Sequence, residues 1–192
     1  QYIANGKTLT QFVRFSDPVA LQSGFGTAYA TINGSTLTFT FPGGTYICEV
    51  EVDKQTGEVK VDRFTAVDDF GNIINPMIVE GQVHGGLAQG IGQALIEGCV
   101  YDRQSGQLIT ATYMDYALPH ADVFVGFKTE FDTSIPCTTN VLGAKGVGEL
   151  GTIGATPTVV NAIIDALDYA GLGRAAEKVQ MPLTAEVVWR AL

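Results

Sequence analysis

The chain has 192 residues, 46% of them hydrophobic and 16% charged, and its 20 acidic against 11 basic residues give a formal net charge of -9. That length is enough for one or two small domains with a core of their own. Lysine and arginine never cluster, which excludes phosphate-tracking nucleic-acid binding, and no apolar run reads as long enough to cross a bilayer, so neither a nucleic acid nor a membrane is expected as a partner.

The start at Gln1 has neither an initiator methionine nor the basic and apolar regions of a signal peptide, so the chain reads as processed or cut from something larger. Cys48, Cys99 and Cys137 are isolated, with none of the close pairing that iron-sulfur or zinc sites require. Free thiols in a reducing cytoplasm are the plainer reading, and the two histidines, His84 and His120, do not make a metal cluster.

In chain order, residues 25–32 and 36–41 read as strands. Residues 46–52 and 58–67 alternate around Asp53-Lys-Gln-Thr-Gly57 and predict a hairpin. The segment 78–97 carries Val83, Leu87, Ile91, Ala94 and Leu95 at helical spacing. Its glycines need a reason, because Gly costs about 1 kcal/mol against Ala inside a helix. Gly81, Gly85 and Gly92 fall close to one stripe, which points to close packing on a backbone or a flat ligand. A second hairpin is expected from residues 97–101 and 107–113, and a strand from 124–131. Thr156 as N-cap with Pro157 at the first helical position predicts the start of a second helix through Val159, Ile163 and Leu167. A third runs from about residue 184 to the end. The sum is an α+β fold of mixed and antiparallel sheets with packed helices.

Between Thr133 and Ile164 only Lys145 and Glu149 carry a charge, and they stand in the run Gly143-Ala-Lys-Gly-Val-Gly-Glu-Leu-Gly-Thr-Ile-Gly154. Five glycines there let the backbone approach a ligand, and a lone carboxylate in apolar surroundings is pushed toward neutrality and can accept a proton near neutral pH. A glycine loop alone also admits nucleotide binding. The Gly-Lys-Ser/Thr order of a P-loop and a strand-to-GxGxxG-to-helix unit are both absent.

The stretch Gly81-Gln-Val-His-Gly-Gly-Leu-Ala-Gln-Gly-Ile-Gly-Gln-Ala-Leu95, followed by Thr139-Asn-Val-Leu-Gly-Ala-Lys-Gly-Val-Gly-Glu-Leu-Gly151, resembles the C-terminal part of the molybdopterin-binding large subunit of the xanthine oxidase family of molybdenum hydroxylases. Val67-Asp-Asp-Phe-Gly-Asn-Ile-Ile-Asn-Pro76 and Tyr113-Met-Asp-Tyr-Ala-Leu-Pro119 resemble it too, so the similarity covers most of the chain, more weakly before Thr45. The Glu-Leu-Gly-Thr-Ile-Gly form is more similar to the carbon monoxide dehydrogenase and aldehyde or N-heterocycle dehydrogenase branches than to xanthine oxidase itself.

The resemblance implies that residues 1–192 form a C-terminal molybdopterin-binding region, with any subdomain boundary near 118–122. It implies that Glu149 is the base that takes a proton from a molybdenum-bound hydroxyl as that oxygen attacks an electrophilic substrate carbon. Gln82 is implied to contact the pterin and metal ligands through its amide, with no protein ligand to the metal itself. The backbone of Lys145, Gly146, Val147 and Gly148, with Thr139 and Asn140 before it, is similar to the loop that holds molybdopterin, the cytosine dinucleotide form being expected; the Lys145 side chain adds charge. Gln89 and Gln93 read as a polar helix face, His84 as packed, and Asp68, Asp69, Asp115 and Tyr116 as structural.

A second glycine-rich cofactor motif and most substrate-pocket residues lie upstream in this family, and iron-sulfur and FAD groups lie in partner subunits. The chain therefore reads as about half of a catalytic site, completed by the remainder of the molybdenum subunit, for a small-molecule substrate that is an aldehyde, an N-heterocycle, a purine or carbon monoxide. The alternative is a non-catalytic binding or assembly domain retaining the fold.

Overall fold

The computed structural model describes residues 3–4, 7–8, 27–32, 35–124 and 126–192, grouped in two compact units. One unit comprises Gln1–Gly43, Asp69–Ile74 and Asp132–Gly146; the other comprises Gly44–Asp68, Asn75–Phe131 and Val147–Leu192. Residues 118–122 lie within the second. The architecture is α+β, as the sequence patterns predict.

In the first unit, the short strands β1 (Ile3–Ala4) and β2 (Lys7–Thr8) pair antiparallel, as do β3 (Thr27–Ile32) and β4 (Ser35–Thr40), in register from Thr27 opposite Thr40 to Ile32 opposite Ser35. Phe25 and Gly26, which open the predicted strand, lie outside the described residues, as does Val125 of the later one.

The second unit holds the larger core. Strands β5 (Gly43–Val52), β6 (Val59–Asp69) and β7 (Phe127–Asp132) form one sheet in that order. The β5–β6 turn closes as its residues dictate, with Asp53 Oδ1 accepting from the N–H of Gln55 at 2.7 Å and the Gly57 N–H reaching the Asp53 carbonyl at 2.7 Å. Along β6 the two-residue period puts Phe64, Ala66 and Asp68 on the buried face. Phe64 meets the rings of Tyr46 and Phe127 edge-on, at 5.8 and 6.2 Å between centroids.

Helix α1 (Pro76–Leu95) begins as its sequence asks, with Asn75 accepting from the Ile78 N–H and Pro76 at the first position. Its buried stripe, Val83, Leu87, Ile91 and Ala94, packs with Ala155, Val159, Ile163 and Leu167 of α2 (Leu150–Tyr169). The short α3 (Ala185–Ala191) is capped by Thr184, and the Leu183 N–H ties this segment to the Ala94 carbonyl at 2.7 Å.

Three expectations change. Helix α2 starts at Leu150 rather than after Thr156, with Pro157 inside it. Packing of its first two turns on α1 outweighs the local stop-and-start signal of Thr-Pro, and the Thr158 hydroxyl caps the Gly154 carbonyl at 2.7 Å. The second predicted hairpin has the right turn, with Gly106 bonded to Asp102, but its ladder is a single bridge between Tyr101 and Leu108. Val100 and Ile109 are exposed there, so no buried face extends the pairing. Finally, α2 is by length and composition apolar enough to cross a bilayer, as core helices also are; its buried stripe packs on α1.

Candidate functional site

Helices α1 and α2 run parallel and in step. Gly86 faces Gly151 and Gly90 faces Ala155 so closely that a Cβ on Gly86 would stand 2.9 Å from the Gly151 Cα, and one on Gly90 2.7 Å from the Ala155 Cβ. The Thr152 and Thr156 hydroxyls each lie 3.1 Å from a carbonyl of α1, those of Gly86 and Gly90, which close approach makes reachable. Gln89 and Gln93 then meet the same hydroxyls at 3.0 and 3.3 Å, so they fasten the helix pair rather than form a plain polar face. The close packing predicted for the glycines is real, but Gly86 and Gly90 provide it. Gly81 and Gly85 look onto open space, and Gly92 lies against Pro119 and Glu97. The matching four-residue spacings of Gly86/Gly90 and Thr152/Thr156 were the available signal.

Parallel packing sets the first turn of α2 beside the second and third turns of α1. Gln82 is exposed there, and a Cβ on Gly148 would lie 3.9 Å from the Gln82 Oε1. Glu149 follows at the N-cap of α2, exposed, with no capping bond from its side chain. Among the described residues the amides of Val147, Gly148 and Glu149 have no hydrogen-bond partner, and the next N–H groups belong to an uncapped helix start. Such a row of donors, backed by the helix dipole, suits oxyanions. The apolar surroundings expected for Glu149 are not supplied by this chain, because its neighbours before α2 are glycines that leave the carboxylate in the open.

The first unit holds the other loop residues, and mostly for its own folding. Gly143 takes φ +64°, which only glycine adopts without cost, and its carbonyl accepts from both Cys137 and Asn72 at 2.9 Å. Asn140 closes that turn: its Oδ1 accepts from the Ala144 N–H at 3.2 Å and its Nδ2 donates to the Ala144 carbonyl at 2.9 Å. The Thr139 hydroxyl sits 3.0 Å from the Cys137 sulfur. Lys145 donates its N–H to the Phe70 carbonyl at 2.8 Å and its Nζ to Asp69 Oδ2 at 2.6 Å, leaving the side chain 6% exposed. The charge and amide expected from Lys145 for a ligand are thus spent on Asp69 and Phe70. Gly146 stays exposed, its N–H without a partner among the described residues. Asp69 has its structural role; the Gly71 N–H holds its other oxygen at 2.8 Å.

His84 is packed as expected, tilted against Phe127 at 5.5 Å and 3.3 Å from the Thr129 hydroxyl. Asp68 was the unforeseen residue. It is fully buried beside Tyr46, close enough for each to shift the other, yet the carboxylate and the Tyr46 hydroxyl lack a hydrogen bond of proper geometry. Burial pushes the Asp68 carboxyl up to about 6, the Tyr46 hydroxyl opposing this, and burial together with the Asp68 charge raises the Tyr46 phenol. A side chain at Gly44 would collide with the Asp68 carboxylate, and one at Gly154 with the Tyr46 ring.

Among the described residues no three His, Cys, Asp or Glu side chains gather to ligate a metal. Free amides, an exposed carboxamide and glycines open to close approach instead fit an anionic organic cofactor that brings its own metal. The fold and these donors define a cofactor-binding α+β unit. A molybdopterin cofactor-binding domain model matches residues 5–124, and the chain belongs to that family. It is 43% identical over 154 residues to the carbon monoxide dehydrogenase large chain of Hydrogenophaga pseudoflava, across 80% of this chain and 18% of that one. With the nicotine 6-hydroxylase large subunit of Paenarthrobacter nicotinovorans the identity is 42%, across 79% and 18%. The fold superposes on reconstituted CO dehydrogenase from Oligotropha carboxidovorans with a TM-score of 0.72 at 39% identity, covering 79% of this chain and 18% of that one. The chain spans about a fifth of the length of these relatives.

Proposed function

We propose that this chain supplies one side of the active site of a molybdenum hydroxylase or dehydrogenase that inserts water-derived oxygen at an electrophilic carbon, with Glu149 as the base. The observation that carries the reading is the approach of Gln82, in the second turn of α1, to Gly148, the residue before Glu149 at the N-cap of α2. The bound cofactor supplies the redox chemistry. Val147, Gly148 and Glu149 donate their N–H groups to its oxygens, and the Gln82 carboxamide, which both donates and accepts, fixes its orientation. Glu149 receives the proton that leaves the attacking oxygen onto a carboxylate oxygen. The remainder of the molybdenum subunit closes the site over Glu149 and keeps bulk water from it.

Molybdopterin in its cytosine dinucleotide form, iron-sulfur and FAD groups in partner subunits and a cytoplasmic setting complete the proposal. Relatives named for carbon monoxide and for nicotine support a small electrophilic substrate without choosing among aldehyde, N-heterocycle, purine and carbon monoxide. Elemental analysis tests the half-site directly: the chain purified alone holds no molybdenum, and the enzyme assembled with its natural partners holds one per site. Stoichiometric molybdenum in the lone chain overturns the reading.

A further inference from the structure

Strand β5 is the outer strand of its sheet. Its ladder partner β6 occupies one side, and among the described residues no backbone hydrogen bond reaches the other. Beside it lies a groove of about 680 Å³ between β5 and α2. All five residues of the run 48–52 line that groove. A hollow on a sheet face would touch every second residue, so an unbroken run places the groove along the strand edge, where the unpaired N–H and C=O groups point. The facing wall is an α2 stripe in which Ala162 and Ala166 leave room for a chain, and Tyr169, 96% exposed, stands at its end. The charges at the groove are Glu49, Glu51, Asp165 and Asp168 against Lys54, and Glu49 is also paired with Arg63 of β6 at 3.1 Å.

We propose that this groove docks an extended segment of another polypeptide, with Lys or Arg at alternate residues, which adds to β5 as a further strand. Main-chain hydrogen bonds to the open edge supply affinity, and the acidic rim selects the sequence. A second copy of this chain is a poor occupant, because pairing β5 with itself sets Glu49 and Glu51 against their own copies. Pro42 precedes the strand, and neither a proline nor a lysine blunts residues 43–52, although Lys and Pro are common guards of an edge. The surface is independent of the cofactor-facing end of the helices, so its test does not depend on the catalytic reading.

The test titrates the 192-residue chain with a ten-residue peptide of alternating Lys and Val. Trp189, the chain's single tryptophan, reports binding by fluorescence, since it lines a hollow that shares Lys54, Ala170 and Leu192 with the groove. The expected result is saturable binding that weakens with salt, slows amide exchange across residues 48–52, and falls at least tenfold in E49K/E51K. The same peptide with Glu in place of Lys is expected not to bind, which keeps the test informative if the double variant fails to fold. Three outcomes overturn the proposal. They are equal binding of the two peptides, binding that leaves β5 exchange unchanged, and no binding at all, the result expected if the acids only keep copies apart.

Discussion

The Thr152 hydroxyl donates to the Gly86 carbonyl oxygen at 3.1 Å, and that bond fixes which ends of two helices meet. With the same contact repeated one turn later between Thr156 and Gly90, α2 is locked parallel to α1. The start of α2 then opens beside the second turn of α1, where Gln82 stands near Gly148 and Glu149. The bond is possible because glycine backbones allow the helices to touch.

Glycines of α1 should therefore respond with opposite signs. Gly81→Ala, facing open space, should stabilise the chain by about 1 kcal/mol through helix propensity alone. Gly90→Ala places its methyl 2.7 Å from the Ala155 Cβ and 3.0 Å from the Thr152 carbonyl. Overpacking of about 1–3 kcal/mol should exceed the propensity gain and leave a net loss. Urea unfolding measures both, and a Gly90→Ala chain at least as stable as Gly81→Ala would contradict the close packing.

Asp68 should make stability depend on pH. Its folded-state pKa, about 6, lies above the ordinary Asp value of about 3.9, so the folded chain holds the proton more tightly than the unfolded one. The associated stability is fully present below about pH 4 and is lost as pH rises through about 6. Asp68→Asn removes the titration, and the variant should gain on the order of 2 kcal/mol over the parent at pH 8 relative to their difference at pH 4. Parallel stability curves for parent and variant across that range would rule out Asp68 as the source.

Loss of the Gln82 carboxamide should loosen the cofactor rather than stop proton transfer. In the assembled enzyme, Gln82→Ala is expected to lower molybdenum occupancy and to reduce activity in part. Full occupancy with unchanged kcat and KM would remove Gln82 from the site.

Glu149→Gln keeps the shape and removes the base. Its side chain is exposed and caps nothing, so the substitution should leave fold and molybdenum content intact in the assembled enzyme. General-base catalysis is worth about 10²–10⁴-fold, and turnover should fall toward the upper end of that range. Near-normal turnover at full occupancy would falsify the catalytic role and leave the loop as a cofactor clamp.

Periodicity and turn chemistry determined much of this protein in advance. The β5–β6 hairpin, the span and cap of α1, and α3 all follow from signals within a few residues: alternation, Asp53 and Gly57, Asn75 before Pro76, Thr184. The motifs around Gln82 and Glu149 likewise identified the family from residue order alone. Long-range packing decided the rest. Thr156-Pro157 looks like a helix start and is the middle of one, because burial of Gly151 and Ala155 on α1 outweighs a local stop. The segment 97–113 has hairpin turn residues and no sheet, since no core lies beneath it. Lys145 looks like a ligand for anions and is consumed by Asp69, 76 positions earlier in the chain. Asp68 reads as a strand-end acid and becomes a buried one because the two-residue period of β6 carries it inward after Phe64 and Ala66. Local signals fix what a segment tends to be; which backbone it touches depends on partners distant in sequence, and that contact sets whether a charge faces solvent, a partner or neither.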